Sequence, residues 1–308
     1  MLFASAVPES ESVVSEVSKS VALAPVSSLI AAMTGAAGAV VGLAASGSIF
    51  AQANQYKDVP TRVLDDPTIT HGPIMFQHQK KDIIGGYLAR PKADGKYPAV
   101  IVVAGSVISE EYIPNTCAAL AVAGFVGLAP NIFHPPIGTP QRLDSQRDDF
   151  AGHSDSDAII DIEIGIDYLR RQPFVRQVGE FPFARLDGLG VVGFCYGGRL
   201  ALLLGARSTD IDAVVAYHPG PFHPEEMKRL KAPVQVHQGT ADHSLPAGQT
   251  ATLIKNLKAH KIPTQAYWYE GADHGFLAYT RPIYKPDAAK LSWDRTIAFL
   301  RKNLGVRK

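Results

Sequence analysis

Leu189-Gly190-Val191-Val192-Gly193-Phe194-Cys195-Tyr196-Gly197-Gly198-Arg199-Leu200-Ala201-Leu202-Leu203-Leu204 is the stretch on which the fold of this 308-residue chain turns. The run Leu189 to Val192 is short and apolar, as a buried strand requires. The run from Leu200 is apolar throughout, as a buried helix requires. Between them stands Gly-x-Cys-x-Gly, a tight strand-to-helix turn with a thiol at its tip. Small residues flank such a tip because its backbone is strained and the strand and helix pass close together. Cys195 is therefore a candidate nucleophile. The competing reading is a buried packing thiol.

The surrounding sequence repeats the strand and helix alternation. Ile74 to His78 and Ile83 to Leu88 flank the polar Lys80-Lys81-Asp82 and read as an antiparallel hairpin. Ala99 to Val103, bounded by Pro98 and Gly105, reads as a buried parallel strand. A helix around Asn115 to Ala123 stops at Gly124, and Phe125 to Ala129 is the next strand. Pro135 to Asp149 reads as a loop. Ser154 with Asp157 three residues on starts a helix whose buried stripe is Ile159, Ile162, Ile166 and Leu169. Ile211–Tyr217, Pro233–His237 and Pro263–Tyr269 are further strands, and Gln249–His260 and Leu291–Leu300 are helices. This predicts an α/β fold: a mostly parallel sheet with an antiparallel N-terminal hairpin and helices on both faces.

A thiol at such a turn needs a base within reach, and the base needs a carboxylate to hold its tautomer. Two strands after the turn supply both in a workable order. Val234-Gln235-Val236-His237 runs into Gln238-Gly239-Thr240-Ala241-Asp242, and Gln265 to Tyr269 runs into Glu270-Gly271-Ala272-Asp273-His274. Asp242 and His274 thus follow strand ends, where open α/β sheets carry their sites. Asp242 also reads as a turn or capping residue before the next helix. Asp273 and His243 are rivals for the acid and base, although Asp273, adjacent to His274, should point elsewhere. His134, His218 and His237 lie near strand ends and are pocket candidates without roles. The backbone N–H of Tyr196, opening a helix, and that of Val107, in the loop after the Ala99–Val103 strand, are the expected oxyanion donors.

Composition excludes several classes. Hydrophobic residues make up 46% and charged residues 19%, which suits a globular α/β chain. The net charge is +1 with no basic run, so nucleic acid is not an expected partner. Cys117 and Cys195 are the two cysteines, too few for a disulfide framework, and no spacing in the chain points to a metal. Cys117, in an apolar helical stretch, reads as a packing residue.

Residues 1–53 differ from the rest. Between Lys19 and Lys57 no residue is charged, and Ala51-Gln52-Ala53 has the form of a cleavage site. A secretory leader on an exported or periplasmic protein is the favoured expectation. An uncleaved membrane anchor and an extension on a cytoplasmic protein are the alternatives. Any membrane contact is expected through this segment alone. Residues 58–308 read as one folded domain.

The chain resembles the dienelactone hydrolase family of the α/β-hydrolase superfamily from about Thr70 to Leu300. The resemblance rests on Ala89-Arg90-Pro91, the strand Pro98 to Val103, Gly193-Phe194-Cys195-Tyr196-Gly197-Gly198, Gly239-x-x-Asp242 and Tyr269-x-x-Ala272-x-His274-Gly275-Phe276. It implies a Cys195–His274–Asp242 triad, hydrolysis of a small-molecule ester or lactone through a thioester, and no cofactor. Two departures bear on the substrate. Members acting on dienelactone carry a thiol-activating Glu where this chain has Ser106, with Glu110 and Glu111 following. Ala278 stands where a carboxylate-binding arginine is expected, leaving Arg281, Arg142 and Arg147 as candidates. A hydrolase of another small acyl substrate, or a non-catalytic binding or redox-sensitive protein of this fold, is the alternative function.

Overall fold

The computed structural model describes residues 61–77, 83–105, 111–133, 154–179 and 184–306. The leader-like segment, the Lys80–Asp82 turn and the Pro135–Asp149 loop lie outside these residues.

Eight strands form one sheet. In chain order they are β1 (Ile69–Gln77), β2 (Ile83–Pro91), β3 (Ala99–Val103), β4 (Val126–Pro130), β7 (Leu189–Phe194), β8 (Ile211–Tyr217), β9 (Val234–Gly239) and β10 (Thr264–Tyr269). Their spatial order is β1-β2-β4-β3-β7-β8-β9-β10. The first two pairings, β1 with β2 and β2 with β4, are antiparallel, and every later one is parallel. The hairpin is longer than its apolar cores indicate, because Ile69 to Pro73 continue the ladder opposite Tyr87 to Pro91. A separate two-stranded ribbon joins β5 (Gln177–Val178) to β6 (Arg185–Leu186).

The helices are α1 (Tyr112–Val122), α2 (Asp155–Arg170), α3 (Tyr196–Arg207), α4 (Pro224–Met227), α5 (Ala247–Ala259) and α6 (Pro286–Leu304). Strand β4 shows why they take both faces. Successive residues of a strand point to opposite sides. Gly127 lies against Cys117 of α1, while its neighbour Leu128 meets Gly165 of α2. α6 lies on the α1 side, where Arg301 Nη2 donates to the Ala123 carbonyl at 3.2 Å. Cys117 is fully buried and burial drives its thiol pKa up, so it is the packing residue expected.

Local signals account for the helix ends. Ser154 and Asp157 form a reciprocal capping box at the start of α2. The predicted stripe Ile159, Ile162, Ile166 and Leu169 is buried. Pro286 occupies the first turn of α6, where its missing N–H costs nothing, and Gly305 ends that helix with φ 69°. The parallel strands are buried on both faces: β3, β4, β7 and β9 have no exposed residue.

Candidate active site

Cys195 stands between β7 and α3 with φ 56° and ψ −117°, a conformation that costs a non-glycine residue about 1–3 kcal/mol. The surrounding packing holds it there. Its N–H donates to the Tyr217 carbonyl at 3.0 Å and to His218 Nδ1 at 3.2 Å. The flanking glycines are required by proximity. A Cβ on Gly193 would lie 2.0 Å from the Gly197 carbonyl oxygen, and one on Gly197 would lie 2.1 Å from that of Val103.

Asp242 follows β9, and its side chain is 1% exposed. Its Oδ1 accepts the N–H groups of Ser244 at 2.9 Å and Leu245 at 2.8 Å. Its Oδ2 accepts Gln238 Nε2 at 2.9 Å and His274 Nδ1 at 2.9 Å. Asp242 thus makes the contacts of a turn residue with one oxygen and meets His274 with the other. Burial pushes the carboxyl up, but these hydrogen bonds outweigh it and hold the pKa at about 2.

His274 follows β10 in a turn with Gly271 and Gly275 at positive φ. With Nδ1 committed to Asp242, Nε2 is the nitrogen left for Cys195, whose side chain is in hydrogen-bonding reach. Burial opposes a charge on the ring, but Asp242 and Cys195 together raise its pKa to about 9. The structure thus brings Cys195, His274 and Asp242 together, from three loops at one edge of the sheet.

Asp273 turns away from this group. Its Oδ1 accepts the N–H of His274 at 2.6 Å and that of His243 at 3.2 Å, and its Oδ2 pairs with His243 Nδ1 at 3.2 Å. His243 is 83% exposed at its side chain and faces Asp273 rather than Asp242.

His218 is the residue whose position the sequence left open. It follows β8, is buried, and has φ 35°. Its ring lies against that of His274, centroids 4.2 Å apart. Because Nδ1 accepts a hydrogen bond, Nε2 carries the proton, and that buried N–H has no partner among the described residues. Burial, reinforced by the charge of His274, lowers its pKa to about 3, so the ring is neutral. His237 differs. It lies within β9, fully buried, with Nδ1 at 2.7 Å from the Tyr269 hydroxyl and Nε2 at 2.9 Å from Gln235 Oε1.

The auxiliary candidates separate. Glu111 accepts Arg62 Nε at 2.7 Å and the Tyr279 hydroxyl at 3.0 Å, so its carboxylate is engaged in tying the 61–65 segment to the loop after His274. Arg281 is near enough for its charge to lower the pKa of His218. Ser106, Val107, Glu110, Arg142, Arg147 and His134 lie outside the described residues. Beside the nucleophile, the Tyr196 hydroxyl donates to Asp155 Oδ1 at 3.1 Å, and Arg199 pairs with the other oxygen of Asp155. This link was not anticipated, since nothing in the sequence ties the start of α2 to the turn. Among the described residues, no group of three His, Cys, Asp or Glu side chains is placed to hold a metal ion.

Comparison with known proteins agrees with this architecture. The model of the "Dienelactone hydrolase family" matches residues 84–304. A Bradyrhizobium protein named for 2-oxo-3-(5-oxofuran-2-ylidene)propanoate lactonase is 31% identical over 231 residues, covering 71% of this chain and 89% of the relative. A Synechocystis protein named for carboxymethylenebutenolidase is 27% identical over 228 residues, covering 69% and 89%. A crystal structure from Klebsiella pneumoniae, named for a dienelactone hydrolase, superposes with TM-score 0.64 at 26% identity, covering 76% of this chain and 99% of the other.

Proposed function

The chain belongs to the dienelactone hydrolase family, and from that premise we propose that it hydrolyses a small carboxylic ester or lactone by covalent thiol catalysis. Cys195 is the nucleophile, His274 the base and Asp242 the carboxylate that orients the base. The observation that carries this reading is the placement of His274, with one nitrogen 2.9 Å from Asp242 and the other left for Cys195.

The chemistry follows from that placement. The thiol proton passes from Cys195 to His274 before attack, leaving the imidazolium that Asp242 stabilises, and the Cys195 sulfur attacks the carbonyl carbon. Negative charge builds on the carbonyl oxygen, where the N–H of Tyr196 receives it; Val107, the second donor expected from the sequence, lies outside the described residues. Tyr196 opens α3, so its N–H stands at the positive end of the helix dipole, which favours a developing oxyanion. The carbon–oxygen bond breaks, and His274 returns its proton to the departing alkoxide. In a lactone that alkoxide stays tethered to the acyl group. Water, losing a proton to His274, attacks the thioester, the carbon–sulfur bond breaks, the acid leaves, and the proton held by His274 is again shared with the freed Cys195 sulfur.

The test uses p-nitrophenyl acetate and iodoacetamide. Cys195→Ala is expected to lower turnover at least about 10³-fold. One equivalent of iodoacetamide is expected to abolish activity by labelling Cys195, since Cys117 is buried. Turnover retained in Cys195→Ala overturns the proposal.

A further inference from the structure

The acid of the proposed triad is held by a second, wholly buried chain of polar groups that leads away from the pocket. Gln238 is fully buried and Thr250 is 1% exposed. Gln238 is in β9, four residues before Asp242, and Thr250 is in the first turns of α5. Gln238 Nε2 donates to Asp242 Oδ2 at 2.9 Å, and Thr250 Oγ1 donates to Gln238 Oε1 at 2.9 Å.

Chemistry fixes the direction of every bond in this chain. An ionised carboxylate only accepts, so the amide must present its NH₂ to Asp242. That turns Oε1 toward Thr250, whose hydroxyl must then donate. Oδ2 therefore receives two donors, Gln238 Nε2 and His274 Nδ1, while Oδ1 receives two backbone N–H groups. Both carboxylate oxygens are fully used and the group cannot turn about its χ2 axis without breaking several bonds.

We propose that Gln238, backed by Thr250, is a positioning residue of this site: it fixes the oxygen of Asp242 that orients the His274 ring. The proposal rests on the triad reading above. Neither side chain meets solvent, so neither touches substrate. Their action is on the alignment of the base, and misalignment by a fraction of an ångström is felt in the chemical step rather than in binding.

Four variants test this: Gln238→Met, Thr250→Val, Thr250→Ser and, as a reference, Cys195→Ala. The readouts are kcat and KM on p-nitrophenyl acetate and the downfield proton resonance of His274 Nδ1–H. Gln238→Met is expected to lower kcat about 10-fold, with KM changed by less than about twofold and the downfield resonance shifted or broadened. Thr250→Val is expected to do the same more weakly, and Thr250→Ser to restore the wild-type values. If Gln238→Met does not fold, the contrast between Thr250→Val and Thr250→Ser decides. Wild-type kcat and an unmoved resonance in every folded variant overturn the positioning role. Activity retained in Cys195→Ala instead overturns the triad reading on which it rests, so the two failures are distinct.

Discussion

His218 packs against His274 with ring centroids 4.2 Å apart and the ring planes tilted by 50°, and it does so as a neutral ring beside one that holds its proton to pH values near 9. Two imidazoles in contact divide the work. One carries charge and the other, through Nδ1, accepts the N–H of Cys195. The cost of this arrangement is the Nε2–H of His218, which has no partner among the described residues.

That cost is measurable. His218→Phe keeps a ring against His274 but removes both the orphan donor and the acceptor for Cys195. An unpaired buried donor costs about 1–3 kcal/mol, so the variant is expected to melt at the same temperature as the parent or higher. Ester turnover is expected to fall, because the strained backbone of Cys195 loses one of its two anchors. A variant that is less stable yet fully active would show that the Nδ1 bond serves the fold alone. Thermal melts and initial rates on an aryl ester decide it.

Stability should depend on pH through the His274–Asp242 pair. The His274 pKa is raised from 6.5 to about 9, so its contribution is complete below 6.5 and is lost as pH rises through about 9. The Asp242 pKa is lowered from 3.8 to about 2, so its contribution is complete above 3.8 and is lost as pH falls through about 2. The two shifts share the His274–Asp242 pair, which counts once, while Cys195 adds to the first and the Leu245 N–H and Gln238 add to the second. The melting temperature is expected to decline from pH 6.5 toward 9, and Asp242→Asn is expected to flatten that decline. An unchanged slope in Asp242→Asn would show that other groups set it.

The same substitution should have opposite signs at two glycines. A Cβ on Gly105 would lie 2.4 Å from the Phe194 carbonyl oxygen and 2.6 Å from the Cβ of Cys195. Backbone cannot yield there, so Gly105→Ala is expected to cost about 1–3 kcal/mol or more and to slow alkylation of Cys195. Gly248, in the first turn of α5, has nothing within 4 Å of such an atom. Gly248→Ala is expected to stabilise by about 0.5–1 kcal/mol. Urea denaturation of the two variants checks both signs.

Tyr269→Phe separates folding from chemistry. It removes the hydroxyl 2.7 Å from His237 Nδ1 in a fully buried pair. The loss is expected to be about 1–3 kcal/mol of stability, with the pH profile of turnover unchanged. A displaced profile would mean that His237 communicates with the reacting groups.

Much of this was legible in the sequence for a physical reason. The strained turn at Cys195 demands glycines at fixed offsets, and the strands leading to Asp242 and His274 are apolar runs that end abruptly in polar loops. The family and the fold follow from those features together. His218 and His237 show where legibility stops. Each lies at or near the end of a β-branched strand, so pattern alone makes them equivalent. They differ because His237 is still within β9, two residues before its end, whereas His218 lies just past the last residue of β8 with a positive φ that swings its ring toward His274. Such a one-residue difference in where a ladder stops is set by pairing with neighbouring strands. Gln238 was hidden for the same reason: its partner Thr250 is brought to it by the packing of α5, not by proximity along the chain. Glu111 was a candidate because it is acidic and close in sequence to the loop after β3, yet Arg62, remote in sequence, claims it.

The four side chains of the proposed site, Cys195, His218, Asp242 and His274, all follow the carboxyl ends of β7, β8, β9 and β10. The turns that enter three of these strands, Asp187-Gly188, Ser208-Thr209-Asp210 and His260-Lys261, therefore lie at the other end of the sheet. For protein engineering this is a division of labour between two rims. A peptide tag, a new chain terminus or a fused reporter belongs at a tip such as His260-Lys261, which is exposed and already adopts a left-handed turn at Lys261. Cargo added there leaves the opposite rim free to be redesigned for new acyl groups.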